Sequence, residues 1–266
     1  MKVQANGISI NYEINGKGEN LILIHGMGDT LNMWYNQVPL FSKKYRVIMY
    51  DVRGFGRTES PPSDVTMTTH CEDLSGLMDV IGVKKAFMLG FSMGGRIAIE
   101  MAATYPERVK ALIMANSSLV MGPLTEETLE RRRQMIKAFE QKDVRKIEMG
   151  VAVGAFSPGF REKHPEEFEK YLKVKLENLR DGSTTSLRMP MGALPDISRV
   201  KCPVLFIVGE HDPLTDVEKA KESAEMIPGS KMVVFPTGHA AAIEMPEEFN
   251  AAVLKFLSQV QDVSAS

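Results

Sequence analysis

The stretch Gly90-Phe91-Ser92-Met93-Gly94 holds a serine between glycines where an apolar β pattern, Ala86–Leu89, gives way to a helical one, Met93–Tyr105. G-x-S-x-G in a strand-turn-helix context is a nucleophile pattern. The turn holds the serine in a strained backbone conformation, and a side chain at position 90 or 94 would clash with the opposite wall. The helix N-terminus then directs its dipole and free N–H groups at the reacting centre. The competing reading of Ser92 is an ordinary turn residue.

A serine hydroxyl attacks poorly without a base. Of the five histidines, His70 lies in an amphipathic helical pattern and His164 precedes a proline; both are expected to be solvated. His211 neighbours a turn, and His25 ends a strand, where a structural hydrogen bond suits it. His239, in Pro236-Thr237-Gly238-His239, follows the last strand pattern and precedes the last helix, on the sheet edge that carries Ser92. A base needs an orienting carboxylate. Val208-Gly209-Glu210-His211-Asp212-Pro213 offers Asp212 after the penultimate strand; Glu210 leaves that strand earlier and points elsewhere. The preceding strand ends at Asn116, not at a carboxylate. The chemistry is acyl transfer, and the chain order is Ser92, Asp212, His239.

Charge developing on a carbonyl oxygen needs donors already in place. The backbone N–H of Met93, just after the serine, is one. The loop His25-Gly26-Met27-Gly28 supplies the other, with Met27 the best candidate. The side chains of Met27 and Met93 would flank the substrate. With Gly26, Phe91, Ala240 and the Met189–Met191 region (Met189 and Met191 above all), they describe an apolar pocket of modest size.

The elements that must hold these groups follow from pattern. Val3–Ala5 and Ile8–Ile14 flank Asn6-Gly7, a hairpin signal. Leu21–Ile24 and Val47–Tyr50 read as buried strands, and Thr30–Phe41 as a helix between them. Residues 66–81 read as an amphipathic helix closed by Gly82. After Val109–Ala115 the alternation halts. Residues 119–197 hold only helical patterns: Glu126–Gln141, Val144–Phe156 and Glu166–Arg180. The rhythm resumes with Pro203–Val208, a helix near Asp216–Ile227, Lys231–Phe235 and a helix from Pro246. Alternating β and α elements predict a mostly parallel sheet with helices on both faces. Ligands bind such sheets beyond the carboxyl ends of the strands, where every residue named above falls.

Composition bounds the rest. The chain has 266 residues, 44% of them apolar, which suits one large α/β domain or two small ones. A net charge of −2, from 32 basic and 34 acidic residues, argues against nucleic acid or an anionic membrane surface as partner. Cys71 and Cys202 lack metal-type spacing and fit a reducing compartment. No apolar run approaches the roughly 20 residues of a membrane span, and the N-terminal stretch has no secretory pattern. The expectation is a cytoplasmic protein without metal or cofactor; its oligomeric state is not legible. The 18 methionines read as adaptable core filler. Gly26-Met-Gly28 and Gly54-Phe-Gly56 both lack the third glycine of a dinucleotide loop. Arg131-Arg132-Arg133 reads as a solvated helix face, or as an attraction for a carboxylated substrate or an acyl carrier.

Taken together, these residues resemble the α/β-hydrolase superfamily over nearly the whole chain. The resemblance rests on His25-Gly26, on Asp51-Val52-Arg53-Gly54-Phe55-Gly56-Arg57, on the Ser92 turn, on Gly209-x-x-Asp212, and on Gly238-His239 followed by Glu244-x-Pro246. It implies a mostly parallel eight-stranded sheet, a core formed by 1–118 and 198–266, and a helical cap formed by 119–197. It also separates branches. Dehalogenases and epoxide hydrolases of this fold use an aspartate nucleophile. Hydroxynitrile lyases carry a lysine beside the histidine, where this chain has Ala240. Hydrolases of carbon–carbon bonds usually show Asn before the serine and Trp after the histidine, here Phe91 and Ala240. Perhydrolases place a proline in the oxyanion loop, and residues 27–31 have none. Carboxylesterases and enol-lactonases remain, with a small ester or lactone as substrate. A weakly catalytic ligand sensor on the same fold is the rival class.

Overall fold

The computed structural model describes residues 1–61, 65–120, 126–181 and 193–265. Eight strands form one sheet: β1 (Lys2–Ala5), β2 (Ile8–Asn15), β3 (Glu19–Ile24), β4 (Tyr45–Tyr50), β5 (Ala86–Phe91), β6 (Val109–Ala115), β7 (Val204–Gly209) and β8 (Lys231–Phe235). Their order is β1-β2-β4-β3-β5-β6-β7-β8. The pairs β1–β2 and β2–β4 are antiparallel, and the rest are parallel. At the β1–β2 turn, Asn6 (φ 47°) and Gly7 (φ 75°) both adopt positive φ, as a type I′ hairpin requires.

The α-helices are α1 (Val38–Phe41), α2 (Met67–Val80), α3 (Met93–Thr104), α4 (Glu126–Glu140), α5 (Val144–Gly154), α6 (Phe160–Lys163), α7 (Pro165–Asp181), α8 (Val217–Glu225), α9 (Ala241–Glu244) and α10 (Pro246–Ala265). α2 begins at a Thr66–Thr69 capping box and is followed by Gly82 at φ 73°, so the expected helix over 66–81 is found with its caps. The single helix expected over Thr30–Phe41 is not. A 3₁₀ turn, Leu31–Trp34, capped by the Thr30 hydroxyl, is followed by the separate short helix α1. Pro39 lacks the N–H that a helix running through it would need. The buried Gln37 instead donates its side-chain amide to Ala242 O at 2.9 Å, fastening this segment beneath α9.

Period two decides which side chains meet which helices. Along β3, Ile22 and Ile24 join Ile48, Met88, Met114 and Phe206 on the face covered by α2, α3 and α8. Leu21 and Leu23 join Val47, Phe87, Ile113 and Ile207 on the other face, against Trp34 and α10 (Phe249, Val253, Leu257). Strands buried on both faces read as continuous apolar runs, as these do. Each fully buried Ile, Leu or Phe contributes roughly 1.5–3 kcal/mol.

Between β6 and β7 the elements among the described residues are helical, α4 to α7 and a 3₁₀ turn over Ile197–Arg199. The described residues of this insertion meet the loops beyond the carboxyl ends of the strands. Lys175 of α7 reaches the loop after β3, and the Phe156–Ser157 backbone abuts Gly238, after β8. Among the described residues, no helix is long and apolar enough to cross a membrane.

Candidate active site

Ser92 stands between β5 and α3 with φ 52° and ψ −116°, a conformation that costs a non-glycine residue about 1–3 kcal/mol. The surroundings hold it there. Its N–H donates to Ala115 O at 2.9 Å, and its carbonyl accepts from Gly95 N at 3.0 Å. A Cβ on Gly90 would lie 2.2 Å from Gly94 O, and one on Gly94 would lie 2.1 Å from Ile24 O. The turn closes only because both positions are glycine. The Met93 N–H opens α3, and the Met93 side chain is buried.

His239 and Asp212 are brought together from the loops after β8 and β7. His239 Nδ1 donates to Asp212 Oδ2 at 2.8 Å, and the pair is nearly enclosed. A carboxylate accepts at Nδ1, so Nε2 is left without its proton and can take one from a neighbouring hydroxyl. Asp212 Oδ1 accepts from the N–H groups of Leu214 (2.8 Å) and Thr215 (2.9 Å); Oδ2 also accepts from Asn116 Nδ2 (3.0 Å). Burial pushes the Asp212 carboxyl up. His239, through its charge when it is protonated and through its hydrogen bond, together with the Asn116 amide and the Leu214 N–H, outweighs it and holds the carboxyl below its ordinary value. Glu210 is exposed and sits outside this network.

Asn116 reads from sequence only as a missing carboxylate. It is instead the residue that spans the two loops. Its amide bonds Asp212 and also Gly238 O at 3.2 Å, while its own carbonyl accepts from Thr215 Oγ1 at 3.0 Å. Its position at the end of β6, on the same edge as the other site residues, was the available signal. Glu244 is a second such residue. It accepts from Gly238 N at 2.6 Å and from both Ser157 N (3.1 Å) and Ser157 Oγ, tying the histidine loop to the insertion. The Ala240 N–H adds a bond to Ala155 O at 2.7 Å.

The remaining expected residues fall as follows. Phe91 is buried, with its ring centroid 5.0 Å from that of His239, and a Cβ on Gly26 would strike it at 2.8 Å. Phe91 therefore packs between the histidine and the loop after β3. Met27 is half-buried and Ala240 is buried. Met189 and Met191 lie outside the described residues. His25 has the expected structural role. Its Nε2 accepts from Val52 N at 2.9 Å while Nδ1 donates to Gly26 O at 2.8 Å, joining the loops after β3 and β4. His164 is exposed as expected, but His70 is not: it faces inward on α2 and is fully buried. Arg53 and His25, from the loops after β4 and β3, lie near it, and a one-sided reading of the periodicity of α2 misses those neighbours. Arg133 is exposed and pairs with Glu126 and Glu130 on its own helix, as a solvated face does. Among the described residues, no cluster of His, Cys, Asp or Glu could hold a metal.

A mostly parallel sheet with a strained serine at its centre and a paired histidine and aspartate at the same ends of its strands is the arrangement of the α/β-hydrolase class. Residues 19–148 match the family described as alpha/beta hydrolase fold. Over 253 residues the chain is 31% identical to 3-oxoadipate enol-lactonase 2 of Acinetobacter baylyi, covering 94% of this chain and 93% of that protein. It is 29% identical over 276 residues to 2-hydroxy-6-oxo-6-(2'-aminophenyl)hexa-2,4-dienoic acid hydrolase of Metapseudomonas resinovorans, covering 98% and 92%. Among solved structures, the enol-lactonase from Burkholderia xenovorans LB400 superposes with a TM-score of 0.87 at 26% identity, covering 97% of this chain and all of that one. The chain belongs to the α/β-hydrolase family, in an enol-lactonase- and esterase-like branch, and is a hydrolase.

Proposed function

We propose that this protein hydrolyses a small-to-medium carboxylic ester or lactone through an acyl-enzyme. Ser92 attacks the carbonyl while His239 Nε2 takes its proton, and Asp212 holds the imidazole. The N–H groups of Met27 and Met93 receive the oxyanion. The tetrahedral intermediate collapses with His239 protonating the leaving oxygen, which in a lactone stays on the same molecule. His239 then activates water to release the acid. Residues 119–197 act as the cap of this site over a core of 1–118 and 198–266. No cofactor is required by these steps. The observation that carries the reading is the enclosed His239–Asp212 pair, 2.8 Å apart, whose geometry leaves Nε2 as a base.

The test is turnover of a p-nitrophenyl ester series, acetate to decanoate, and of enol-lactones, by the wild type and Ser92→Ala. The variant is expected to lose several orders of magnitude in kcat with binding largely kept, and to escape labelling by a fluorophosphonate. Undiminished turnover by Ser92→Ala refutes the proposal. A single turnover without a steady state assigns the protein to ligand sensing instead. The similarity to the dienoic acid hydrolase favours a second reading, cleavage of a carbon–carbon bond beside a ketone by the same triad. Phe91 and Ala240 depart from that branch, so a vinylogous diketo acid is expected to turn over far more slowly than an ester.

A further inference from the structure

Three groups of α7 grip the loop that follows β3. Lys175 Nζ donates to Met27 O at 3.1 Å and lies 2.9 Å from Asp29 Oδ1. The buried Tyr171 also lies close enough to Asp29 to feel its charge. Glu177 Oε2 accepts from Thr30 Oγ1 (3.1 Å) and from Asn32 Nδ2 (2.8 Å). Asp29 has no exposed surface and Lys175 is only 13% exposed. This is a buried ion pair between two segments 146 residues apart in sequence, beside the Met27 N–H assigned above to the oxyanion.

The conformation of the loop explains what such a grip does. Asp29 N donates to Gly26 O at 3.2 Å, and Gly28 has φ 75° while Met27 does not have positive φ. That is a type II turn with Met27 and Gly28 at its centre. Glycine at the third position tolerates either orientation of the central peptide, so the turn itself does not choose between them. The Met27 carbonyl belongs to that peptide, and Lys175 bonds it; the Met27 N–H belongs to the preceding Gly26–Met27 peptide and is held in place through the turn as a whole. The charges matter as well. A buried carboxylate beside a developing oxyanion opposes it, and the ammonium of Lys175 cancels that field.

We propose that Lys175 is a positioning residue for catalysis: from the helical insertion it locks the central peptide of the oxyanion turn through Met27 O and neutralises Asp29 beneath it. This rests on the reading of Ser92 as nucleophile. The insertion is then a working part of the oxyanion hole as well as a wall of the pocket.

The experiment measures kcat, KM, and inhibition by an alkyl trifluoromethyl ketone, which forms a tetrahedral adduct on serine, and by the acid product, a ground-state ligand. Lys175→Met is expected to lower kcat about 10²-fold and to weaken the ketone by a similar factor, with KM and product affinity within about threefold. Lys175→Arg is expected to restore most of the loss. Asp29→Asn/Lys175→Met leaves no charge buried alone, and stays informative if the single variant does not fold. It is expected to lie between the single variant and wild type in both kcat and ketone affinity. Wild-type kcat and ketone affinity in either Met variant overturns the proposal, as does a loss confined to KM. Ser92→Ala is assayed alongside. Retained turnover there removes the hydrolase reading itself, whereas lost turnover there with unaffected Lys175 variants removes only the role of Lys175.

Discussion

Replacing Asp212 by Asn tests the proposed triad at the point where the geometry is tightest. Four donors converge on the carboxylate: the Leu214 and Thr215 N–H groups on Oδ1, and His239 Nδ1 and Asn116 Nδ2 on Oδ2. An asparagine there has one oxygen, and its NH₂ must face one of these pairs. Turned toward the backbone pair, it would set two donors against two fixed donors and forfeit two hydrogen bonds worth roughly 1 kcal/mol each, while leaving buried groups unsatisfied. Turned toward His239 it meets two partners that can adapt: imidazole can change tautomer, and Asn116 can rotate its amide to present oxygen at the loss of its one bond to Gly238 O. The second orientation wins. His239 Nδ1 then accepts, and the proton moves to Nε2, the nitrogen proposed to face Ser92. The base is lost with the fold intact. A triad acid exchanged for its amide lowers kcat by about 10⁴ through this tautomer change, equivalent to about 5.4 kcal/mol in the barrier. The assay is kcat on a p-nitrophenyl ester near pH 8, together with ¹⁵N NMR of His239 to identify the protonated nitrogen. A loss under tenfold, or an Nδ1–H signal that persists in the variant, refutes the reasoning.

Other outcomes follow from single residues. Both ring nitrogens of His70 lack hydrogen-bond partners among the described residues. Burial, then the nearby Arg53 and His25, push its pKa down to about 3. The unfolded chain binds a proton below about 6.5 and the folded one does not, so His70 removes stability as pH falls from about 6.5 toward 3. Urea unfolding should therefore show His70→Leu gaining about 2 kcal/mol on wild type between pH 7 and pH 5, and a pH-independent difference would count against this account. Gly94→Ala places a methyl 2.1 Å from Ile24 O, a clash of backbone with no flexible side chain to yield, and is expected to give no soluble folded protein. A soluble Gly94→Ala enzyme with wild-type turnover would show that the Ser92 turn is not held as described.

The parts of the site that were legible in the sequence are those marked by local punctuation. Ser92, His239 and Asp212 each follow an apolar strand run and stand next to a glycine or a turn, so the residue and its place on the sheet edge are read together. The helix expected over Thr30–Phe41 failed because two short pieces separated by a bend have nearly the same apolar spacing as one helix. Solvation of His70 failed for a related reason. Periodicity tells which face of α2 is apolar, but not that the loops carrying His25 and Arg53 come close to His70. Asn116 was visible as a residue and misread as an absence, since its partner Asp212 lies 96 residues further on.

By itself, the sequence determined the α/β alternation, the helical nature of the insertion and the three residues proposed for acyl transfer. Those features depend on hydrophobic period, on glycines at a turn that tolerates nothing larger, and on the order of strand ends. Only the tertiary structure decided how the groups are oriented and charged: that His239, Asn116 and the Leu214 N–H hold the Asp212 carboxyl below its ordinary value, that Glu244 fastens the histidine loop to the insertion, and that Lys175 meets Asp29 near Met27. These depend on distances across the sheet edge between residues up to 148 positions apart, where hydrogen bonds and ion pairs act over a few ångströms and leave no periodic trace in the chain.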